Sequence, residues 1–268
     1  MAKKILWYSI LIIFVISLTS ICVGFVMAVK VSTGPVEEVS KPITQQSPGT
    51  GGTASNDQKN VKILILGDSI AKGSGDETAR GIGGYLPDNL KNYTAKDIVV
   101  NNLGIDGLKS GELVEQLKNG SLDNEMLSSD VILISIGGND LREIQRLSGI
   151  DRQNAFRQKQ DAYISILKEV TKKVRSTNKD AFLIFVGLYN PYGDENNGDE
   201  AQFIHRWNYS TQLVFADDAR AAFISTYDLF KLNASRFISA DKLHPNSAGY
   251  QMIANLISRS LEDIMTKI

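Results

Sequence analysis

Short, β-branched apolar runs alternate along this chain with longer segments in which apolar residues recur every three or four positions. The runs are 61–66 (VKILIL), 98–103 (IVVNNL), 131–136 (VILISI), 182–188 (FLIFVGL) and the shorter 222–226 (AFIST). Their length and near-continuous apolarity predict strands buried on both faces. The segments around 84–90, 110–117, 156–176, 203–219 and 248–265 predict helices. In the third of these, Tyr163, Ile166, Leu167, Val170 and Val174 mark a single buried face. Strands alternating with helices predict an α/β fold, a parallel sheet covered on both sides. Ligands of such sheets bind beyond the carboxyl ends of the strands. There the first three runs end in polar, glycine-bearing clusters: Gly67-Asp68-Ser69, Gly104-Ile105-Asp106-Gly107 and Gly137-Gly138-Asn139-Asp140. Distant in sequence, these clusters are expected to converge in space.

A different pattern precedes the alternation. Residues 5–29 are almost continuously apolar and follow Lys3 and Lys4. That length suits a transmembrane helix, because the apolar core of a cleavable signal usually runs only about 7–15 residues. The lysines should stay cytoplasmic and place the rest of the chain outside the cell. Cleavage after Ala28, with small Val26 before it, is the alternative and would release a secreted protein. Residues 31–60 are rich in Ser, Thr, Gly, Pro and Gln and bury too little to offset their ordering entropy, so they read as a disordered linker. The expected organisation is an anchor over 1–30, a linker over 31–60 and one domain over 61–268.

Composition narrows the choice further. The chain has 268 residues, a formal net charge of −1 and dispersed basic residues, a distribution that does not suit nucleic acid. Its single cysteine, Cys22, falls in the apolar run, so the exported part can form no internal disulfide. Ile21 occupies the position where a lipid-attachment motif needs a small residue, and Cys22 reads as lipid-facing.

Candidate chemistry centres on Asp241-Lys242-Leu243-His244-Pro245, which holds one of only two histidines. Histidine exchanges a proton near neutral pH, and a nearby carboxylate can hold its tautomer. Ser69 offers a hydroxyl at the sheet edge, Gly107 a backbone N–H that a substrate oxygen can approach, and Asn139 an amide donor. Each has an ordinary alternative. Asp68 or Ser69 can cap a helix, Gly107 can serve a turn with positive φ, Asn139 can bond locally, and Asp241 to His244 can be a surface turn capped by Asn246 or Ser247. The conjunction of four such clusters on one edge favours a site.

These residues resemble the SGNH hydrolases, also called the GDSL esterase/lipase family. Gly67-Asp68-Ser69-Ile70 resembles the first family block, with Ile in place of the usual Leu. Asn102 to Gly107, Gly137 to Asp140 and Asp241 to Pro245 resemble the later blocks, in order, across essentially all of 61–268. Asp106 departs from the pattern, since many relatives carry Ser there. The resemblance implies a flavodoxin-like three-layer α/β/α sandwich with a five-stranded parallel sheet and ester hydrolysis without metal or cofactor. It implies Ser69 as nucleophile, His244 as base and then acid, Asp241 as its orienting partner, and Ser69, Gly107 and Asn139 as the oxyanion hole. Lipid, small-molecule and glycan esters, including O-acetylated cell-wall glycans, all fit as substrates, and the oligomeric state stays open. Two other readings compete: a non-catalytic cell-wall binding module, which has no need of a proton-transfer pair, and a phosphate receptor, which Asp68 would disfavour.

Several conspicuous residues read as bystanders. His205 is expected at the surface of a helix. Phe203, Trp207 and Tyr209 are expected in the core, with an acyl pocket as the alternative. The acidic stretch 194–200 lacks an ordered calcium-loop pattern and reads as a solvated loop. Asp76 and Glu77 fit either an acidic cleft mouth or plain loop charges.

Overall fold

The computed structural model describes residues 60–145, 147–193 and 198–267, together with position 17. The expected anchor and linker therefore lie outside the described residues, positions 17 and 60 apart, as does residue span 194–197 of the acidic stretch. Among the described residues no helix is long and apolar enough to cross a membrane.

Five parallel strands form the sheet: β1 (Val61–Gly67), β2 (Ile98–Asn102), β3 (Val131–Ser135), β4 (Phe182–Val186) and β5 (Ala221–Ile224). Their order, β2-β1-β3-β4-β5, is that of a flavodoxin-like sheet. In such a sheet the direction of winding reverses between β1 and β3, leaving a crevice at their carboxyl ends. The connecting helices are α1 (Ser69–Lys72), α2 (Gly81–Leu90), α3 (Ser110–Lys118), α4 (Asp123–Leu127), α5 (Gly138–Arg142), α6 (Gly149–Thr177), α7 (Gly198–Val214), α8 (Tyr227–Lys231), α9 (Ala234–Phe237), α10 (Ser247–Ser260) and α11 (Glu262–Met265).

Side-chain alternation along the strands builds two cores. Leu64, Leu66, Ile132, Ile134, Leu183 and Phe185 face α3, α6 and α7. Ile63, Ile65, Val131, Leu133, Ile184 and Val186 face α2 and α10. Each such fully buried side chain contributes about 1.5–3 kcal/mol relative to exposure. This is the expected three-layer sandwich, and it fixes the strand ends that carry the polar clusters.

The structure departs from the sequence expectations at some edges. β2 is an edge strand, so Val99 is 47% exposed although the run opens with three β-branched apolar residues. The expected last helix is divided at Leu261 into α10 and α11. The helix expected over 203–219 ends at Val214, and its chain turns toward β5. Tyr209 is 64% exposed and not in the core. Phe203 and Trp207 lie four residues apart on one helix face, and two further residues rotate Tyr209 away from it.

Candidate active site

Backbone sterics at the end of β1 place the serine. Gly67 pairs with Ser135 in the sheet, and a Cβ there would sit 1.8 Å from the Ser135 carbonyl oxygen. Its φ of +130° is likewise a conformation that only glycine adopts readily. The next residue, Asp68, is extended and caps α1, accepting a hydrogen bond from the Ile70 N–H at 3.0 Å. Ser69 is thereby held at the first position of α1, half-buried at the switch-point crevice. Asp68 itself is 3% exposed. Burial pushes its carboxyl up to about 7, against the opposing pull of backbone N–H groups at Ile70 and Ala71.

The imidazole arrives from the far end of the chain. His244 Nε2 lies 2.9 Å from Ser69 Oγ, and His244 Nδ1 lies 2.7 Å from Asp241 Oδ2. The other Asp241 oxygen accepts hydrogen bonds from Ser239 Oγ at 2.7 Å, Leu243 N at 2.8 Å and His244 N at 2.9 Å. Partial burial would raise this carboxyl, but the hydrogen bonds from His244, Ser239 and Leu243 outweigh it and hold it well below the usual range. The loop closes on itself through Ser239 N–H donating to His244 O at 2.8 Å. Tyr189, at the end of β4, donates its hydroxyl to the Leu243 carbonyl at 2.7 Å and ties the loop to the sheet.

The second and third clusters are bound to the first and to each other. Ile105 N–H donates to Gly67 O at 2.9 Å, and Asn102 Nδ2 donates to Ala71 O at 2.8 Å. Gly107 has φ +77° with open space around its missing side chain. Asn139 Nδ2 donates one hydrogen to Leu108 O at 2.9 Å, which orients the amide beside the Gly107 turn. Asp140 accepts from Ser110 N at 3.1 Å and Oγ at 2.6 Å. Asp106 bonds Ser74 Oγ at 2.5 Å and pairs with Lys72, so it braces this loop against the end of α1. Among the described residues, the backbone N–H groups of Ser69 and Gly107 have no protein acceptor.

Ser69, Asn139 and His244 line one cavity of about 90 Å³, whose apolar walls include Ile70, Leu141, Leu188, Ile204 and Leu243. Part of its lining is polar: Glu200 pairs with Arg152 and accepts from Gln145 Nε2 at 3.3 Å. Asn139 also borders a wider cleft of about 450 Å³ that contains Gly107.

The structure thus brings Ser69, Asp241 and His244 into one hydrogen-bonded row, with Asn139 on the same cavity and Gly107 on the adjoining cleft. His205 is exposed, its ring 4.0 Å from that of Tyr227. Trp207 and Phe203 are buried in aromatic stacks with Tyr163 and Phe156 and do not line the cavity. Asp76 and Glu77 are helix caps rather than an acidic mouth. Asp76 accepts from Gly81 N at 2.8 Å, and Glu77 accepts from Ser247 N at 3.0 Å. Tyr189 and Arg142, which also line the cavity, were not singled out by sequence pattern. The position of Tyr189 just past a buried strand is the signal that could have marked it.

Comparisons with known proteins agree with this architecture. A family model described as the GDSL-like lipase/acylhydrolase family matches residues 65–252. The uncharacterised protein YpmR of Bacillus subtilis is 28% identical over 215 residues, covering 76% of this chain and 83% of its own. The spore germination lipase LipC of Bacillus licheniformis is 25% identical over 210 residues, covering 72% and 93%. Among solved structures, the lipase Lip_vut3 from a goat rumen metagenome superposes with a TM-score of 0.69 at 19% identity, covering 75% of this chain and 97% of its own, and so shares the fold.

Proposed function

The chain belongs to the GDSL-like lipase/acylhydrolase family and is an ester hydrolase, and we propose that it acts through Ser69, His244 and Asp241 outside the cell membrane. One observation carries the catalytic part: a hydrogen-bonded row from Ser69 Oγ through His244 to Asp241, joining residues 175 positions apart at 2.9 and 2.7 Å. In this reading His244 Nε2 takes the Ser69 proton as the oxygen attacks the ester carbonyl. Asp241 holds the imidazole in the tautomer whose Nδ1 carries hydrogen and stabilises the imidazolium that forms. The N–H groups of Ser69 and Gly107, with Asn139 Nδ2, donate to the developing oxyanion. His244 then returns the proton to the departing alcohol, and water, activated by the same imidazole, releases the acyl group from Ser69. Ser69→Ala is expected to abolish hydrolysis of p-nitrophenyl butyrate; activity at the wild-type level would remove Ser69 from the role.

The cavity supports a short acyl group. An apolar cavity of about 150 Å³ holds benzene, and this one is about 90 Å³. Glu200 in its lining, paired with Arg152, further disfavours burying a long alkyl chain against it. Hydrolysis should therefore fall steeply from butyrate to palmitate esters, and an equal rate on both would contradict this.

Location rests on the sequence: Lys3 and Lys4 before the apolar run 5–29, then the linker. A C-terminal alkaline phosphatase fusion should be active in cells, and an inactive, stably expressed fusion would refute an extracytoplasmic domain. Membrane attachment through that run is part of the same proposal, and recovery of all the protein in the medium would show cleavage instead.

A further inference from the structure

His244 and Asp241 ride on a loop that is closed upon itself. Asp241 Oδ1 gathers Ser239 Oγ, Leu243 N and His244 N, and Ser239 N–H donates to His244 O. Ile238 and Pro245 bridge its two stems, and Asn246 N–H donates to Phe237 O at 2.8 Å. Within the loop Lys242 holds φ at +60°, a conformation that residues other than glycine adopt at a cost. These contacts keep the imidazole and the carboxylate in register with each other. They do not set the distance from this unit to Ser69, which stands on a separate element at the start of α1.

Tyr189 reaches the loop from the sheet, just past β4. Its hydroxyl donates to the Leu243 carbonyl at 2.7 Å, one residue before His244. Its ring stacks on the fully buried Phe230 with centroids 4.3 Å apart, so the donor is mounted on a packed support. Desolvation pushes the phenol well above its usual range, and at neutral pH it stays a hydroxyl and donates. The same ring forms part of the wall of the cavity that holds Ser69 and His244. We infer that Tyr189 is a positioning residue, whose hydroxyl holds the Leu243 carbonyl and thereby sets His244 Nε2 within reach of Ser69 Oγ. The inference rests on the proposed roles of Ser69 and His244 and extends them to a group outside the triad. Without the tether the loop can shift as a unit, and a misplacement of about 1 Å at reacting atoms can cost about a hundredfold in rate.

Tyr189→Phe removes the donor but keeps the ring in the cavity wall and against Phe230. On p-nitrophenyl butyrate it should lower kcat by about ten- to a hundredfold and leave KM within about twofold. A fall in kcat under about threefold, or a loss carried by KM instead, overturns the inference. Labelling by a fluorophosphonate depends on the same contact between hydroxyl and imidazole, so its rate should fall with kcat, and an unchanged rate overturns the inference. Thr226→Val is the matched control: Thr226 Oγ1 donates to Gly187 O at 2.7 Å, likewise a hydroxyl on a backbone carbonyl, but not one of the His244 loop. It should lower the melting temperature about as much as Tyr189→Phe while keeping kcat. An equal fall in kcat there would trace the effect to lost rigidity and overturn the positioning role. Ser69→Ala separates the two readings. If it matches wild type, the triad reading fails and the inference with it; if it is inactive while Tyr189→Phe keeps wild-type kcat, the inference alone fails.

Discussion

Replacing Asp68 by Asn isolates the electrostatic strain beside the proposed nucleophile. Asn keeps an oxygen to accept from the Ile70 N–H, so the cap of α1 survives while the ionisable proton is removed. Burial raises the Asp68 carboxyl from 3.8 to about 7. An acid whose pKa is higher in the folded state keeps a proton there that the unfolded chain has already released. Wild-type stability therefore declines as pH rises from about 4 to about 7 and is level in this respect above that window. A shift from 3.8 to about 7, at about 1.4 kcal/mol per unit, sets an upper bound of about 4 kcal/mol on the cost of ionised Asp68. Asp140 adds to that cost by like-charge repulsion, and the Ile70 and Ala71 N–H groups subtract from it. Urea unfolding of wild type and Asp68→Asn at pH 4.5 and pH 8 measures the difference directly. The variant should gain on wild type at pH 8 relative to pH 4.5, by up to about 4 kcal/mol, with an unchanged denaturant slope. A gap that is the same at both pH values would refute the reasoning, because it would mean that the backbone donors fully offset the desolvation.

Three further perturbations address the site. Asn139→Ala should lower kcat on p-nitrophenyl butyrate by about 10²–10³-fold, with the melting temperature little changed; an unaltered kcat would take Asn139 out of the oxyanion hole. Asp241→Asn should lower kcat by about 10²–10⁴-fold, since Asn favours the wrong imidazole tautomer, and a loss under threefold would deny Asp241 the orienting role. Gly67→Ala should reduce stability by several kcal/mol or prevent folding, because its Cβ would collide with the Ser135 carbonyl; a melting temperature equal to wild type would contradict the packing described.

Much of this architecture was legible from residue pattern. The runs at β3 and β4 are uniformly apolar, and that at β1 is so apart from the exposed Lys62, which suits a doubly covered sheet, and the glycine-bearing clusters after β1, β2 and β3 then fall on one edge by topology. Strand order was less accessible: Ile98, Val99 and Val100 look as core-like as the rest, and only the pairing of β2 with β1 alone leaves Val99 exposed. Single-turn elements such as α5, α8 and α9 were missed because they are too short to show a period and are held by tertiary contacts. Caps such as Glu77 on Ser247 were out of reach because the partners are 170 residues apart. Tyr209 misled because aromatic character outweighed helical phase, two positions past Trp207. The elevated Asp68 carboxyl was equally hidden, since burial of an acid is a property of the folded layers around it.

The direct chemical test is to react the folded protein with a fluorophosphonate and locate the adduct by peptide mass spectrometry. The hydroxyl proposed to be activated by His244 should carry the phosphonyl group, so the adduct is expected on Ser69 alone, with labelling greatly slowed in His244→Ala. An adduct on another residue, or folded and esterase-active protein that takes up no label, would contradict the account.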